Sequence, residues 1–402
     1  MTTEPAAGPK TGLFTSSRGL SVGVSGLYLA LYFHYGFFTF LPLWLKATDV
    51  SPGEIGVLMA IPLVLRLLTV APFSAWVGRR YRVRDAICLT ALASAAVVLL
   101  LLGRPGHVER IAIVILLSTI WDQIPVLTDA YAVMAVRSGS LDFGRLRVWG
   151  SIGVVLSNIA AGWALGAFGI LALPAMIAAL LLLPAAAVML LPGDRALAAV
   201  EQETGGRWRD VLGDRQLLKT MTATSLIIGS HGVLSSFGAI NWQANGLATD
   251  TIGLLQALAV SAEILGFWFG MKLLGQRDPA QMICLSALAA AARWAIMATN
   301  PALPLLVVAQ LLNGVTATGA ILGIMLVITR RVPSHLIATA QGINAVLFGA
   351  VLAVSTAGSG LLWSYGLAPA YLAMGVLALS GLFFAWPGAA KPALDQHSGL
   401  VS

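Results

Sequence analysis

Seven ionisable residues interrupt otherwise apolar stretches of this chain: His34, Arg66, Asp122, Asp129, His231, Glu263 and Arg293. On insertion scales, an Arg or Asp near the centre of a membrane helix costs ~2.5–3.5 kcal/mol. The five acids and arginines among the seven carry a gross cost on the order of 12–17 kcal/mol if such costs add. Residues this expensive mark substrate or ion pathways, or neutralise one another as structural pairs. The set holds two arginines and three carboxylates. If each arginine neutralises one carboxylate, one acid is left over. Burial of an unpaired carboxyl favours its protonated form. An acid that takes a proton on one face and releases it on the other is what a proton-coupled carrier requires. Glu263 is favoured for that role and Asp129 comes second. The proton gradient would be the driving force, with no cofactor.

The remaining polar candidates fit a charge network that binds substrate. Asp122 and Asp129 are seven apart, which brings them to within about 20° around a regular helix. They are expected to share a face, with Pro125 between them kinking it. In the alternative, Asp122 only caps a turn broken by Pro125. His34 and His231 could titrate, hydrogen-bond substrate or serve as satisfied structural groups. Asn241, Gln243, Asn313, Gln341 and Asn344 read either as cavity groups or as helix–helix hydrogen bonds. Tyr32, Phe33, Tyr35, Phe37, Phe38 and Phe40 crowd one stretch and suit either an aromatic pocket or packing. No G-x-x-x-x-G-K-[ST] loop is present, so ATP is not the expected driver. Neither a metal-ligand cluster, a nucleophile elbow nor a Cys-x-x-Cys motif occurs, and the chain is not expected to be an enzyme.

The elements that position these residues are membrane helices. The 402 residues are 58% apolar and only 10% charged, with mean hydropathy +0.86, whereas soluble domains carry about 25% charge. Twelve spans are expected, at 20–45, 54–77, 84–103, 109–136, 145–168, 170–191, 216–245, 251–273, 279–299, 302–329, 336–363 and 365–386. The chain also repeats itself. Residues 34–68 shifted by 197 positions fall on 231–265, so that His34 meets His231, Ile55-Gly56 meets Ile252-Gly253, and Arg66 meets Glu263. ICLTALASAA (87–96) repeats as ICLSALAAAA (283–292), which gives the two cysteines, Cys88 and Cys284, equivalent places. Two cysteines inside apolar helices exclude a disulfide framework.

The expected organisation is a tail (1–19), a six-helix bundle (20–191), a polar loop (192–215), a second bundle (216–386) and a tail (387–402). Six is even, so the halves are parallel repeats around a central cavity. Nineteen of the 24 Lys and Arg lie on the side of the termini, three (Lys46, Arg104 and Arg110) lie on the other, and Arg66 and Arg293 lie within spans. That asymmetry predicts cytoplasmic termini and explains the sequence pI near 9.7 without nucleic acid. Arg79, Arg80, Arg145 and Arg147 are expected in cytoplasmic gate loops. The first apolar run is longer than a signal peptide's core, so no cleavable leader is expected.

FLPLWLK (40–46) with SPGEIG (51–56), LVLRLL (63–68), LTDAYA (127–132) with DFGRLRVWGSIG (142–153), the 230–266 block through NWQANG to VSAEILG, and AARWAIM (291–297) resemble the phenylpropionate permease family of the major facilitator superfamily. A more distant resemblance is to lactose permease. The match covers roughly residues 28–330. It implies an all-α integral membrane fold of twelve helices in two six-helix bundles. It also implies proton symport of a small organic solute in a bacterial inner membrane by a functional monomer. Arg66, Asp129, His231, Glu263 and Arg293 fall on positions the family shares, whereas His34 and Asp122 do not. Many superfamily members carry an aspartate in the helix 2–3 turn, and this chain departs from that pattern with AWVGRRYRVRD there. The expected substrate is an aromatic or other organic acid whose carboxylate is held by Arg66 or Arg293. A neutral sugar, oligosaccharide or nucleoside, or a drug or metabolite exported instead, are the alternatives.

Overall fold

A computed structural model describes residues 16–138, 141–193, 208–274 and 278–385. Most of both tails and of the central loop lies outside the described residues. Twelve helices are long and apolar enough to cross a bilayer: α1 (Ser17–Ala47), α2 (Pro52–Arg80), α3 (Val83–Gly103), α4 (His107–Arg137), α5 (Phe143–Phe168), α6 (Ile170–Met189), α7 (Arg215–Ala244), α8 (Thr249–Gly270), α9 (Pro279–Ala298), α10 (Leu303–Arg331), α11 (Ser334–Trp363) and α12 (Leu367–Ala385). Among the described residues there is no strand. Helices satisfy every backbone group internally, which hydrocarbon demands.

Three helices break mid-span, and each has an ionisable residue at one of its breaks. α1 is interrupted at Phe33-His34 and again at Thr39-Phe40, α4 at Asp122, and α7 at Ser230-His231. Pro42 and Pro125 lack the N–H that would bond back to Phe38 and Trp121. The other breaks are mended by serines from neighbouring helices. Ser157 on α5 accepts the Gly36 amide at 2.9 Å, and Ser355 on α11 donates to the Gly229 carbonyl at 2.5 Å. Since α1 repeats as α7 and α5 as α11, one repair serves both halves. The small residues at the breaks let backbones meet. A Cβ on Gly36 would overlap Ser157, and one on Gly232 would lie 2.6 Å from Ser355 Oγ.

The halves meet through α2 with α11, α5 with α8, and the last turns of α1 with α7. The closest approaches lie at the end opposite the termini. A Cβ on Gly56 would lie 2.7 Å from Gly360 Cα; one on Gly253 would overlap Asn158 O and sit 3.0 Å from Gly162 Cα. Phe237 stacks on Trp363 at 4.7 Å on the same end. The α2–α11 contact continues to Leu67 and Gly349, 3.3 Å from a Cβ there. Beyond that point the helices part, and nothing lies within 4 Å of a Cβ on Gly78 or Gly342. A cleft between the halves therefore opens toward the end that carries the termini.

Candidate functional site

The second half holds a buried polar cluster built from three helices. Arg293 on α9 is 1% exposed. Its Nη1 donates to Asn313 Oδ1 at 2.6 Å and its Nη2 to Gln310 Oε1 at 2.7 Å, both on α10. Its guanidinium lies 4.9 Å from the Trp294 ring. Asn313 Nδ2 donates to Ala259 O at 3.1 Å and reaches Glu263 Oε2 at 3.5 Å on α8. Small residues bring these helices together: a Cβ on Gly314 would sit 2.5 Å from Ala262 O, and one on Gly319 3.0 Å from Met282 O. Asn313 thus stands between the acid and the arginine, touching both.

Among the described residues, Arg66 and Arg293 form no ion pair with the three carboxylates within the spans. The ion pairs among the described residues are Arg84–Asp85, His107–Glu54, Arg147–Asp129 and Arg331–Asp214. Arg293 is held by two amide oxygens instead, and Glu263 is touched by an amide. Arg66 is exposed on α2 and within electrostatic reach of Asp122, Tyr32 and Tyr35.

Asp129 finds its cation outside the expected set. Tyr28 donates to Asp129 Oδ1 at 2.7 Å, and Arg147 Nε lies 3.7 Å from the same oxygen. The Arg147 guanidinium sits 4.5 Å from the Tyr32 ring and 5.5 Å from that of Tyr28. The acid and the arginine are 41% and 37% exposed, as suits groups at a cleft wall. Arg147 was expected in a gate loop. It lies instead on α5, because Asp142 accepts the Arg145 amide at 3.0 Å and starts the helix at Phe143. The expected span at 145–168 contains Arg147, and the Asp142 cap extends it by two residues to Phe143. Arg145 is likewise helical and exposed, and Arg79 and Arg80 form the last turn of α2.

Other expectations change position. Asp122 and Asp129 do not share a continuous helical face, because α4 stops at Trp121 and restarts at Gln123. Asp122 is 7% exposed. His34 does not line the cleft. It is fully buried, accepts the Trp121 indole N–H, and packs against Tyr35 and Phe38. The helix-1 aromatics around it therefore serve packing. His231 donates to the Ile228 carbonyl at 2.9 Å and stands edge-on to Trp294 at 5.1 Å. Asn241 and Gln243 leave the site. They lie in the last turn of α7, where Asn241 bonds Asn300 at 3.2 Å and Gln243 is exposed. Gln341 is exposed on α11 where the cleft opens, and Asn344 follows one turn later. Glu54 and His107 pair at 2.7 Å on the opposite end, with Glu54 in a capping box with Ser51. The Ser-x-x-Glu spacing signals that box in the sequence.

The arrangement offers one exposed guanidinium, a tyrosine-buttressed Asp–Arg pair, and an acid wired through an amide to a buried arginine. Such a set suits binding and proton exchange across a cleft. Known proteins fit the same frame. A probable 3-phenylpropionic acid transporter of Escherichia coli (strain K12) is 30% identical over 375 residues, covering 92% of this chain and 97% of its own. A maltose permease of Geobacillus stearothermophilus is 25% identical over 326 residues, covering 80% and 82%. The crystal structure of the nucleoside transporter NupG superposes with a TM-score of 0.72 at 16% identity, covering 91% of this chain and 98% of that one. The sequence signature of the MFS_1 like family matches residues 22–373, and the chain belongs to that family of multi-pass membrane transporters.

Proposed function

We propose that this transporter takes up a small aromatic or other organic acid, together with a proton, across a bacterial cytoplasmic membrane with both termini in the cytoplasm. The observation that carries the reading is the division of labour between the two charged sites. Arg66 carries an exposed guanidinium near Asp122, Tyr32 and Tyr35, and such a planar fork can take a carboxylate in two parallel hydrogen bonds. Glu263 meets an amide, so it can gain and lose a proton without breaking an ion pair. Asp129, held by Arg147 and Tyr28, reads as part of the gate. The basic-residue asymmetry supports the orientation, and the relative described as a 3-phenylpropionic acid transporter supports the substrate class. The chain is taken to work as a monomer.

Uptake of labelled 3-phenylpropionate into proteoliposomes with an imposed pH gradient tests the reading. Wild type should accumulate it. Glu263→Gln should abolish gradient-driven accumulation while retaining counterflow exchange, and Arg66→Gln should raise KM by tenfold or more. Unimpaired accumulation by Glu263→Gln removes this acid from the mechanism.

The maltose permease likeness favours a second reading, symport of a neutral sugar or nucleoside. Voltage separates the two. A monoanion entering with one proton carries no net charge, whereas a neutral solute with a proton gains about 2.3 kcal/mol of drive per 100 mV.

A further inference from the structure

We propose that the outer wall of the first half binds an anionic glycerophospholipid from the leaflet on the side of the chain termini. One acyl chain would lie in a groove between α2, α3 and α4, and the phosphate would rest on Arg80 and Arg82. The groove encloses about 450 Å³ and is walled by Phe73, Trp76, Tyr81 and Leu89. It faces lipid. α3 buries Ile87, Ala91, Ala95 and Val98 on its α6 side, while Leu89, Leu92, Leu99 and Leu100 are exposed on the other. Leu89 belongs both to this outward stripe and to the groove.

The floor argues for an apolar occupant. Its polar side chains are already satisfied within the protein. Thr69, Thr90 and Thr119 donate to their own helix carbonyls at 2.7–2.9 Å, and Gln123 donates to Thr69 Oγ1 at 3.1 Å and to Thr119 O at 3.0 Å. A solute seeking hydrogen-bond donors would find none free on these four side chains. A hydrocarbon chain needs none.

The mouth argues for an anionic headgroup. The rings of Trp76 and Tyr81 pack against each other at a tilt, with centres 4.8 Å apart, where aromatic side chains mark the membrane interface. Four arginines, at 79, 80, 82 and 84, surround Tyr81 in sequence. Two are engaged elsewhere: Arg79 folds back on Ala75 O, and Arg84 pairs with Asp85 and bonds Leu191 O. Arg80 and Arg82 flank Tyr81, both exposed. The one acid of this turn, Asp85, is the one paired with Arg84. Basic pockets between membrane helices bind anionic headgroups, each cation adding about fivefold in affinity. The site lies on the lipid side of α2 and α3 and does not depend on the substrate reading.

Native mass spectrometry of the full chain, equilibrated with equimolar phosphatidylglycerol, phosphatidylethanolamine and phosphatidylcholine, tests it. Wild type should retain phosphatidylglycerol preferentially. Arg80→Gln with Arg82→Gln should weaken that retention roughly 30-fold, and Ala93→Phe, which fills the groove, should lose lipid whatever its headgroup. A folding-independent check is fluorescence quenching by phosphatidylglycerol brominated in its acyl chain. It should quench wild type more strongly than Trp76→Phe. Equal retention of the zwitterionic lipids, retention unchanged in the double arginine variant, or equal quenching of the two proteins overturns the proposal.

Discussion

Arg293 is a guanidinium 1% exposed and held by neutral oxygens. Removing an ion's partners leaves the charge uncompensated, at about 3–5 kcal/mol for buried pairs. Removing the ion itself leaves two amides unsatisfied, at ~1–3 kcal/mol each. Asn313 also serves Glu263 and the Ala259 carbonyl, so its loss strands three groups. Asn313→Leu should therefore lower the unfolding midpoint of the detergent-solubilised protein more than Arg293→Met does. The reverse order would mean that the arginine is stabilised mainly by its stacking on Trp294. This arrangement could be read from the sequence only in part. Glu263 and Arg293 stand out as charges in apolar runs, because cost is a local property. Asn313 also stands out as a polar residue in an apolar run, but its pairing with Arg293 beside Gln310 does not, because the two amides meet Arg293 only through the register of α9 on α10. Asp129 shows the same limit. Its cation, Arg147, sits on α5 and meets Asp129 only through the register of α4 on α5.

At the scale of elements, the spans themselves are legible because twenty-residue apolar runs have one solution in lipid. Their breaks are less so. Pro125 announces the interruption of α4, whereas the break at His231 depends on Ser355 arriving from α11 to take the Gly229 carbonyl. Deleting that hydroxyl with Ser355→Ala should cost about 1 kcal/mol, and Ser157→Ala should cost the same in the other half. Helix ends carry a second device. Asp214 caps α7 by accepting the amides of Gln216 and Leu217 at 3.0 and 3.1 Å, and it takes Arg331, the last residue of α10, at 2.9 and 3.1 Å. Partial burial raises its pKa, but the Arg331 hydrogen bond, the amide donors and the guanidinium charge outweigh that and hold the carboxyl below its ordinary range. A depressed carboxyl stabilises the fold above its unfolded value, about 3.9, and that contribution is lost as pH falls through the folded value. The pair is substantially exposed, so its worth at neutral pH is at most about 1 kcal/mol. Asp214→Asn keeps the cap and loses the pair. Its thermal midpoint should approach that of wild type as pH falls through the lowered folded value and fall short of it by a degree or two near neutrality. A constant difference across that range would show that Asp214 carries no proton-linked stability.

For the whole molecule, the repeat matters most where the halves touch. Gly56 and Gly253 are repeat mates, visible as such in the sequence, and the structure sets each against a glycine of the opposite half, Gly360 and Gly162. Two helix pairs therefore close one end of the cleft by backbone contact, where no side chain larger than hydrogen fits. Transporters built from parallel repeats work by rocking one half against the other around a central site. A wedge at the closed end should then favour the opposite tilt. Forcing atoms into a packed contact costs ~1–3 kcal/mol, and each 1.4 kcal/mol shifts a two-state population about tenfold. Gly56→Trp combined with Gly253→Trp should hold the glycine end open and draw the other end shut. Labelling by a membrane-impermeant thiol reagent reads this directly. Gln341→Cys, at the mouth now open, should lose reactivity at least tenfold in the double-tryptophan background. Phe237→Cys, stacked at the closed end, should gain it. Transport should cease while binding of substrate from the glycine side persists. If Gln341→Cys stays equally reactive, the glycine contacts are packing alone and the two ends of the cleft are not coupled through them.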